Sequence, residues 1–254
     1  MGGPANIIIT AGGTSEPIDA VRVISNSSSG RLGSMIADEL ASREDCQVFY
    51  VCARDSVRPA SPAVQCVEVK SVADLQAAVT RLAGENTIHA AIHSMAVSDY
   101  TVRAVSTARA VAEQLAALGA EKITPEALER AFDAADTRKS GGKLSSKMSS
   151  PVMLLTQTPK IISLLRPLMP GAVIVGFKLL SRVSREELLD VAHALLKTNG
   201  CDFVLANDGS EIRGDAHHAY LIDGNKTVLR EMFTKQEIAA QIAETVMKEV
   251  GNKQ

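Results

Sequence analysis

The sequence predicts an α/β fold: a Rossmann-like, doubly wound, mostly parallel sheet, with an inserted helical arm or flap and a C-terminal β-hairpin. Three observations predict it. Short β-branched apolar runs alternate with segments of helical period from the start to about residue 100, the order that builds parallel strands joined by right-handed crossovers. The alternation breaks at about 101–150 and then resumes. Near the end, His218–Ile222 and Thr227–Arg230 flank Asp223-Gly224-Asn225-Lys226, which reads as a hairpin. No linker and no internal repeat is evident, so a single domain over 1–254 is the simplest organisation.

The elements follow in order. Asn6-Ile7-Ile8-Ile9-Thr10 is short and β-branched, a buried strand, and Ala11-Gly12-Gly13-Thr14 turns out of it. Leu32, Met35, Ile36 and Leu40 give helical spacing to Arg31–Leu40. Gln47–Cys52 and Ala63–Val69 are the next strands, and Ser71 caps a helix with Leu75, Ala78, Val79 and Leu82 on one face. His89–Val97 is a further strand. Two helical stretches span Ser106 to about Asp136, split near Lys122-Ile123-Thr124-Pro125, where Thr124 and Pro125 suit N-cap and N1. Lys139–Ser150 is rich in Gly, Ser and Lys without any period, and reads as a mobile loop. Val152–Leu155 is a strand, and Thr158-Pro159 opens a helix by the same cap-and-proline logic. Ala172–Phe177 and Phe203–Ala206 are strands. Ser184 with Glu187, and Thr234 with Glu237, form capping boxes for helices to about Thr198 and Glu249.

Composition narrows the function. A net charge of -2 supplies no field for nucleic acid or an anionic membrane, and the absence of Trp argues against a base-stacking platform. Cys46, Cys52, Cys66 and Cys201 include no C-x-x-C pair, so neither a zinc site nor a dithiol is expected, and a reducing, cytoplasmic location is. No apolar run approaches a membrane span. The start, Met1-Gly2-Gly3-Pro4-Ala5-Asn6, has neither the character of a signal peptide nor the Ser or Thr of a myristoylation site.

Five places carry chemistry. Gly12-Gly13 after the first strand permits close backbone approach to a ligand, or is simply a tight turn. Asn26-Ser27-Ser28-Ser29-Gly30-Arg31 immediately precedes a helix, where backbone N–H groups, hydroxyls, the helix dipole and a guanidinium make a phosphate cradle. Ser98-Asp99-Tyr100 puts a carboxylate after a strand, suited to a ribose, a base amine or hydrated magnesium, though a turn aspartate is common. Lys143 could fold over a nucleotide; by base rate it is a solvated lysine. Ala206-Asn207-Asp208 follows another strand, with a polar turn as the plain alternative. The G-x-G-x-x-G fingerprint and the P-loop are both missing, which disfavours hydride transfer. Of the histidines, none has metal spacing, and His217-His218 reads as a hairpin edge.

Taken together, Ile9–Asp19, Val21-Arg22, Ile24-Ser25-Asn26 with Ser28-Ser29-Gly30, Met95–Tyr100, Lys143–Ser146, Val175–Lys178 and Ala206–Asp208 resemble phosphopantothenate–cysteine ligase of coenzyme A biosynthesis. The resemblance runs in order from about Asn6 to Glu249 and is to the free-standing bacterial form. It implies amide formation between 4'-phosphopantothenate and L-cysteine through an acyl-cytidylate. CTP (or ATP) would be the co-substrate, with Mg2+ on its triphosphate, and a homodimer is expected. Asn26 matches the asparagine that binds the acyl intermediate and Lys143 the lysine that forms it. The resemblance places nucleotide contacts at Gly12, Gly13, Ser28, Ser29, Gly30, Arg31, His93, Ser94, Met95, Asp99, Thr156, Gln157, Thr158, Pro159, Phe177 and Lys197. Asn26, Ala206, Asn207 and Asp208 fall where substrate binds. Ser27, Met95-Ala96 and Arg31 depart from the family's usual residues, and Lys178-Leu179-Leu180 after Phe177 is closer to ATP-using relatives. The alternatives are a nicotinamide-dependent oxidoreductase and a non-catalytic regulatory relative.

Overall fold

The computed structural model describes residues 3–119, 123–140 and 143–253. Met1-Gly2, Lys122 at the predicted helix split and Gly141-Gly142 in the predicted loop lie outside the described residues. The elements in chain order are β1 (Ala5–Ala11), β2 (Ser15–Pro17), β3 (Val23–Ser25), α1 (Arg31–Ala41), β4 (Cys46–Ala53), β5 (Gln65–Val69), α2 (Val72–Glu85) and β6 (Ala90–His93). Next come β7 (Tyr100–Thr107), α3 (Ala108–Ala117), α4 (Pro125–Ala134), β8 (Pro151–Gln157), α5 (Ile161–Leu168) and β9 (Val173–Leu180). The chain ends with α6 (Arg185–Asn199), β10 (Phe203–Asp208), β11 (Ala216–Ile222), β12 (Val228–Thr234) and α7 (Lys235–Lys253).

Two compact units divide the chain. The first holds Met1–Thr14, Ser27–Val97 and Lys160–Gln254; the second holds Ser15–Asn26 and Ser98–Pro159.

In the first unit, eight strands form one sheet in the order β12-β11-β10-β9-β6-β1-β4-β5. From β5 to β10 every pairing is parallel, and β11 and β12 join antiparallel as the predicted hairpin. Strand alternation splits the core. Ile7 and Ile9 of β1 pack with Ile36 and Leu40 of α1 and Ile238 and Ile242 of α7. Ile8 packs on the opposite face with Leu75 of α2, Leu165 of α5 and Leu189 of α6. Helices on both faces make the sheet doubly wound, and each fully buried Ile or Leu contributes roughly 1.5–3 kcal/mol. Thr234 and Glu237 cap reciprocally at the start of α7, whereas Ser184 accepts from Glu187 N–H at 3.1 Å at the start of α6. No helix among the described residues is long and apolar enough to cross a membrane.

The second unit carries α3 and α4, the helices read from the sequence, but also two small antiparallel sheets, β2-β3 and β7-β8. Neither β2-β3 nor β7 is foreseen. Val152–Leu155 does not resume the main sheet: it lies in β8, paired with β7 from Tyr100↔Gln157 to Thr107↔Pro151. Val102, Val105 and Leu144 form this unit's small core, with Ile18 and Ile24 against it. Thr158-Pro159 does not open α5 either. Helix α5 starts after Lys160, and the Thr158 hydroxyl donates to the Ser98 carbonyl.

Candidate functional site

In the first unit, a cavity of about 420 Å³ opens where β6, β9 and β10 end and α1 begins. One wall is the segment Ser27–Gly33. Gly30 is the N-cap of α1, in the left-handed region with φ 71°, and has no side chain to cap it; the Ser29 hydroxyl accepts from Arg31 N–H at 3.4 Å. The first-turn N–H groups of a helix have no intrahelical acceptors and carry the positive end of its dipole. Ser28 and Ser29 add hydroxyls, and Arg31 adds a guanidinium that pairs with Asp215 at 3.1 Å. This wall therefore suits a phosphate or a carboxylate. Ser94, Met95, Phe177 and Asn207 line other parts of the same cavity, giving it both apolar surface and an amide.

The glycines of the first turn do not line the cavity; they let it form. Gly12 has φ 87°, and a Cβ there would meet Ser56 Oγ at 1.8 Å. A Cβ on Gly30 would lie 3.1 Å from the Gly12 nitrogen, so the turn and the start of α1 pack backbone to backbone. Gly13 bridges to Ala96, through Thr14 N–H to the Ala96 carbonyl and Ala96 N–H to the Gly12 carbonyl.

Other predicted residues are placed differently. His93 is buried, and its Nδ1 lies 2.7 Å from the Thr10 hydroxyl. Burial pushes its pKa down to about 4, so the ring is neutral; it is not among the residues lining the cavity. Ala206 is fully buried in the core. Asp208 accepts from Ser210 N–H and hydroxyl at 2.7 Å, and these bonds hold its carboxyl below the usual range. Lys197 lies in α6 near Gly200 and Phe203, where β10 begins, at the end of the strand opposite Asn207.

Asn26, Asp99, Lys143 and Thr156–Pro159 belong to the second unit. Asp99 follows Ser98 and precedes β7, and its carbonyl accepts from Thr158 N–H at 3.0 Å. Thr156 and Gln157 pair with Thr101 and Tyr100. Lys143 is exposed, and the next residue, Leu144, is buried. Among the described residues no group of three or more His, Cys, Asp or Glu side chains could hold a metal.

The cavity is also lined by His217, which reads only as a hairpin edge in the sequence, and by Lys235, which the sequence does not single out. At the start of β11, His217 is buried while His218 is only partly so, a difference that depends on the hairpin register.

The chain matches the family described as DNA/pantothenate metabolism flavoprotein C-terminal domain over residues 4–123 and 132–250. It is 29% identical over 244 residues to the coenzyme A biosynthesis bifunctional protein CoaBC of Thermococcus kodakarensis, covering 95% of this chain and 51% of that protein. The chain thus spans about half the length of such curated relatives. The crystal structure of the DNA/pantothenate metabolism flavoprotein from Streptococcus pneumoniae is similar with a TM-score of 0.81 and 31% identity, over 96% of this chain and 99% of that one. The C-terminal domain of a CoaBC protein shares the fold, with a TM-score of 0.68 at 21% identity, over 98% of this chain and 97% of that one. Matched over both units, and nearly end to end with the Streptococcus pneumoniae structure, this chain belongs to the DNA/pantothenate metabolism flavoprotein C-terminal domain family.

Proposed function

We propose that the chain is a ligase of coenzyme A biosynthesis that joins 4'-phosphopantothenate to L-cysteine, with CTP (or ATP) as co-substrate. The observation that carries the reading is the glycine N-cap and start of α1 on a cavity at the strand ends, flanked by Ser28, Ser29 and Arg31. That wall suits a phosphorylated ligand, and the relatives are named for coenzyme A biosynthesis.

A free carboxylate is a poor electrophile, so the reaction takes two steps. A carboxylate oxygen of 4'-phosphopantothenate attacks the α-phosphorus of the nucleotide, and the bond to pyrophosphate breaks. The cysteine amine then attacks the acyl carbon. The acyl–oxygen bond breaks, the nucleoside monophosphate leaves, and the amine loses a proton. Lys143 neutralises charge that develops on the transferring phosphorus. The amide of Asn26 can both donate and accept hydrogen bonds and holds the acyl intermediate. The start of α1 holds phosphate, Phe177 offers an apolar face to the base, and Asn207 contacts substrate. Asp99 and Thr156–Pro159 supply further nucleotide contacts. Magnesium, carried in with the nucleotide, would neutralise phosphate charge and would need few ligands from the chain. Four free cysteines accord with a reducing cytoplasm, and a homodimer is the assembly we assign.

CTP with 4'-phosphopantothenate should release pyrophosphate without cysteine. Lys143→Ala should abolish that release, and Asn26→Asp should impair handling of the acyl intermediate. Retained release in Lys143→Ala would sink the role given to the lysine. Rates with CTP and ATP, measured side by side, assign the nucleotide.

A further inference from the structure

Residue His217 on β11 is 6% exposed, and neither ring nitrogen has a hydrogen-bond partner among the described residues. An unpaired buried polar group carries its full desolvation cost, so an apolar residue here would serve folding better. Its neighbour is satisfied: His218 sits between Glu211 and Glu231, with 2.8 Å to each. His217 instead lines the cavity that the start of α1 also lines.

The charged groups around that end of the cavity favour an anion. Lys235, the first residue of α7, lines it beside His217, with its ammonium on the Gly214 carbonyl. Arg31 pairs with Asp215, and Asp208 of β10 is taken up by Ser210 and Val183. Burial and the charge of Lys235 push the His217 pKa down to about 4. The ring is therefore neutral at pH 7, with one N–H to donate and no charge to repel its cationic neighbours.

We propose that His217 is a ligand-contacting residue, donating a ring N–H to a phosphoryl oxygen of the ligand held at the start of α1. The proposal rests on reading this cavity as a phosphate-holding site. Two ligands could bring the phosphoryl group, the nucleotide or 4'-phosphopantothenate, and the experiment separates them.

Titration calorimetry would compare wild type, His217→Leu and His217→Asn with CTP, 4'-phosphopantothenate and inorganic pyrophosphate, and with cytidine and pantothenate as phosphate-free controls. His217→Leu should raise the Kd of one phosphorylated ligand about tenfold or more. His217→Asn, which keeps a donor, should recover much of that loss, and the controls should not change. The ligand whose affinity falls identifies the phosphate. Unliganded His217→Leu should melt at or above the wild-type temperature, because the unpaired group is gone; a purely structural histidine would give the reverse. Wild-type affinity in His217→Leu, or equal loss for the phosphate-free controls, overturns the proposal alone. Wild-type protein that binds none of the phosphorylated ligands overturns the reading of the cavity with it.

Discussion

The carboxylate of Asp19 accepts a hydrogen bond from the backbone N–H of Leu144 at 2.9 Å, although 125 residues separate them. Arg22, paired with the same carboxylate, donates to the Leu144 carbonyl at 2.9 Å. Both backbone groups of Leu144 are thereby held, and Leu144 is the residue that follows Lys143. The Arg22 guanidinium keeps the Asp19 carboxyl well below the usual range. Its contribution is therefore present above the ordinary carboxylate pKa and is lost only as pH falls through the lowered one. Asp19→Ala should free the backbone that carries Lys143. On the role proposed for Lys143, misplacing it by about 1 Å costs on the order of 100-fold, so pyrophosphate release should slow by about that factor while CTP affinity stays near wild type. An unchanged rate of release would show that Lys143 does not depend on this clamp.

Gly12 offers a test of the first turn. Its φ of 87° is costly for any residue with a Cβ, and that Cβ would meet Ser56 Oγ at 1.8 Å. Backbone strain and overpacking each cost roughly 1–3 kcal/mol, so Gly12→Ala should destabilise by roughly 2–6 kcal/mol. Adding Ser56→Ala removes the clashing oxygen but not the strained φ, so the double variant should recover part of the loss. Urea midpoints of the three proteins decide it. A Gly12→Ala midpoint equal to wild type would mean that the turn relaxes at no cost.

The sheet of the first unit was legible in the sequence because its signals are local. Ile7-Ile8-Ile9 has the short β-branched run of a strand buried on both faces, and Thr234 with Glu237 announces α7. That Ser28–Arg31 leads directly into α1 was legible for the same reason, since the segment is contiguous. The β7-β8 ribbon was not. Tyr100–Thr107 and Pro151–Gln157 pair across two intervening helices, and Thr158-Pro159 imitates a helix start without being one. Leu144 sits inside a Gly- and Ser-rich segment whose composition hides its burial. His217 reads only as a hairpin edge, because a two-histidine run carries no sign of which ring is buried; the strand register decides it.

The two buried histidines predict how stability depends on acidity. Burial lowers the pKa of His93 to about 4, and burial with Lys235 does the same for His217. In the unfolded chain each returns to about 6.5. Between those values the unfolded state binds more protons than the folded state. Stability is therefore complete above pH 6.5 and declines as pH falls towards 4. For His93 the loss across the window is on the order of 3 kcal/mol. His93→Gln keeps a side chain able to bond Thr10 but does not titrate there. Its urea midpoint should fall less between pH 7 and pH 4.5 than that of wild type, and combining it with His217→Leu should flatten the profile further. Equal falls in wild type and the double variant would assign the acid sensitivity to other groups.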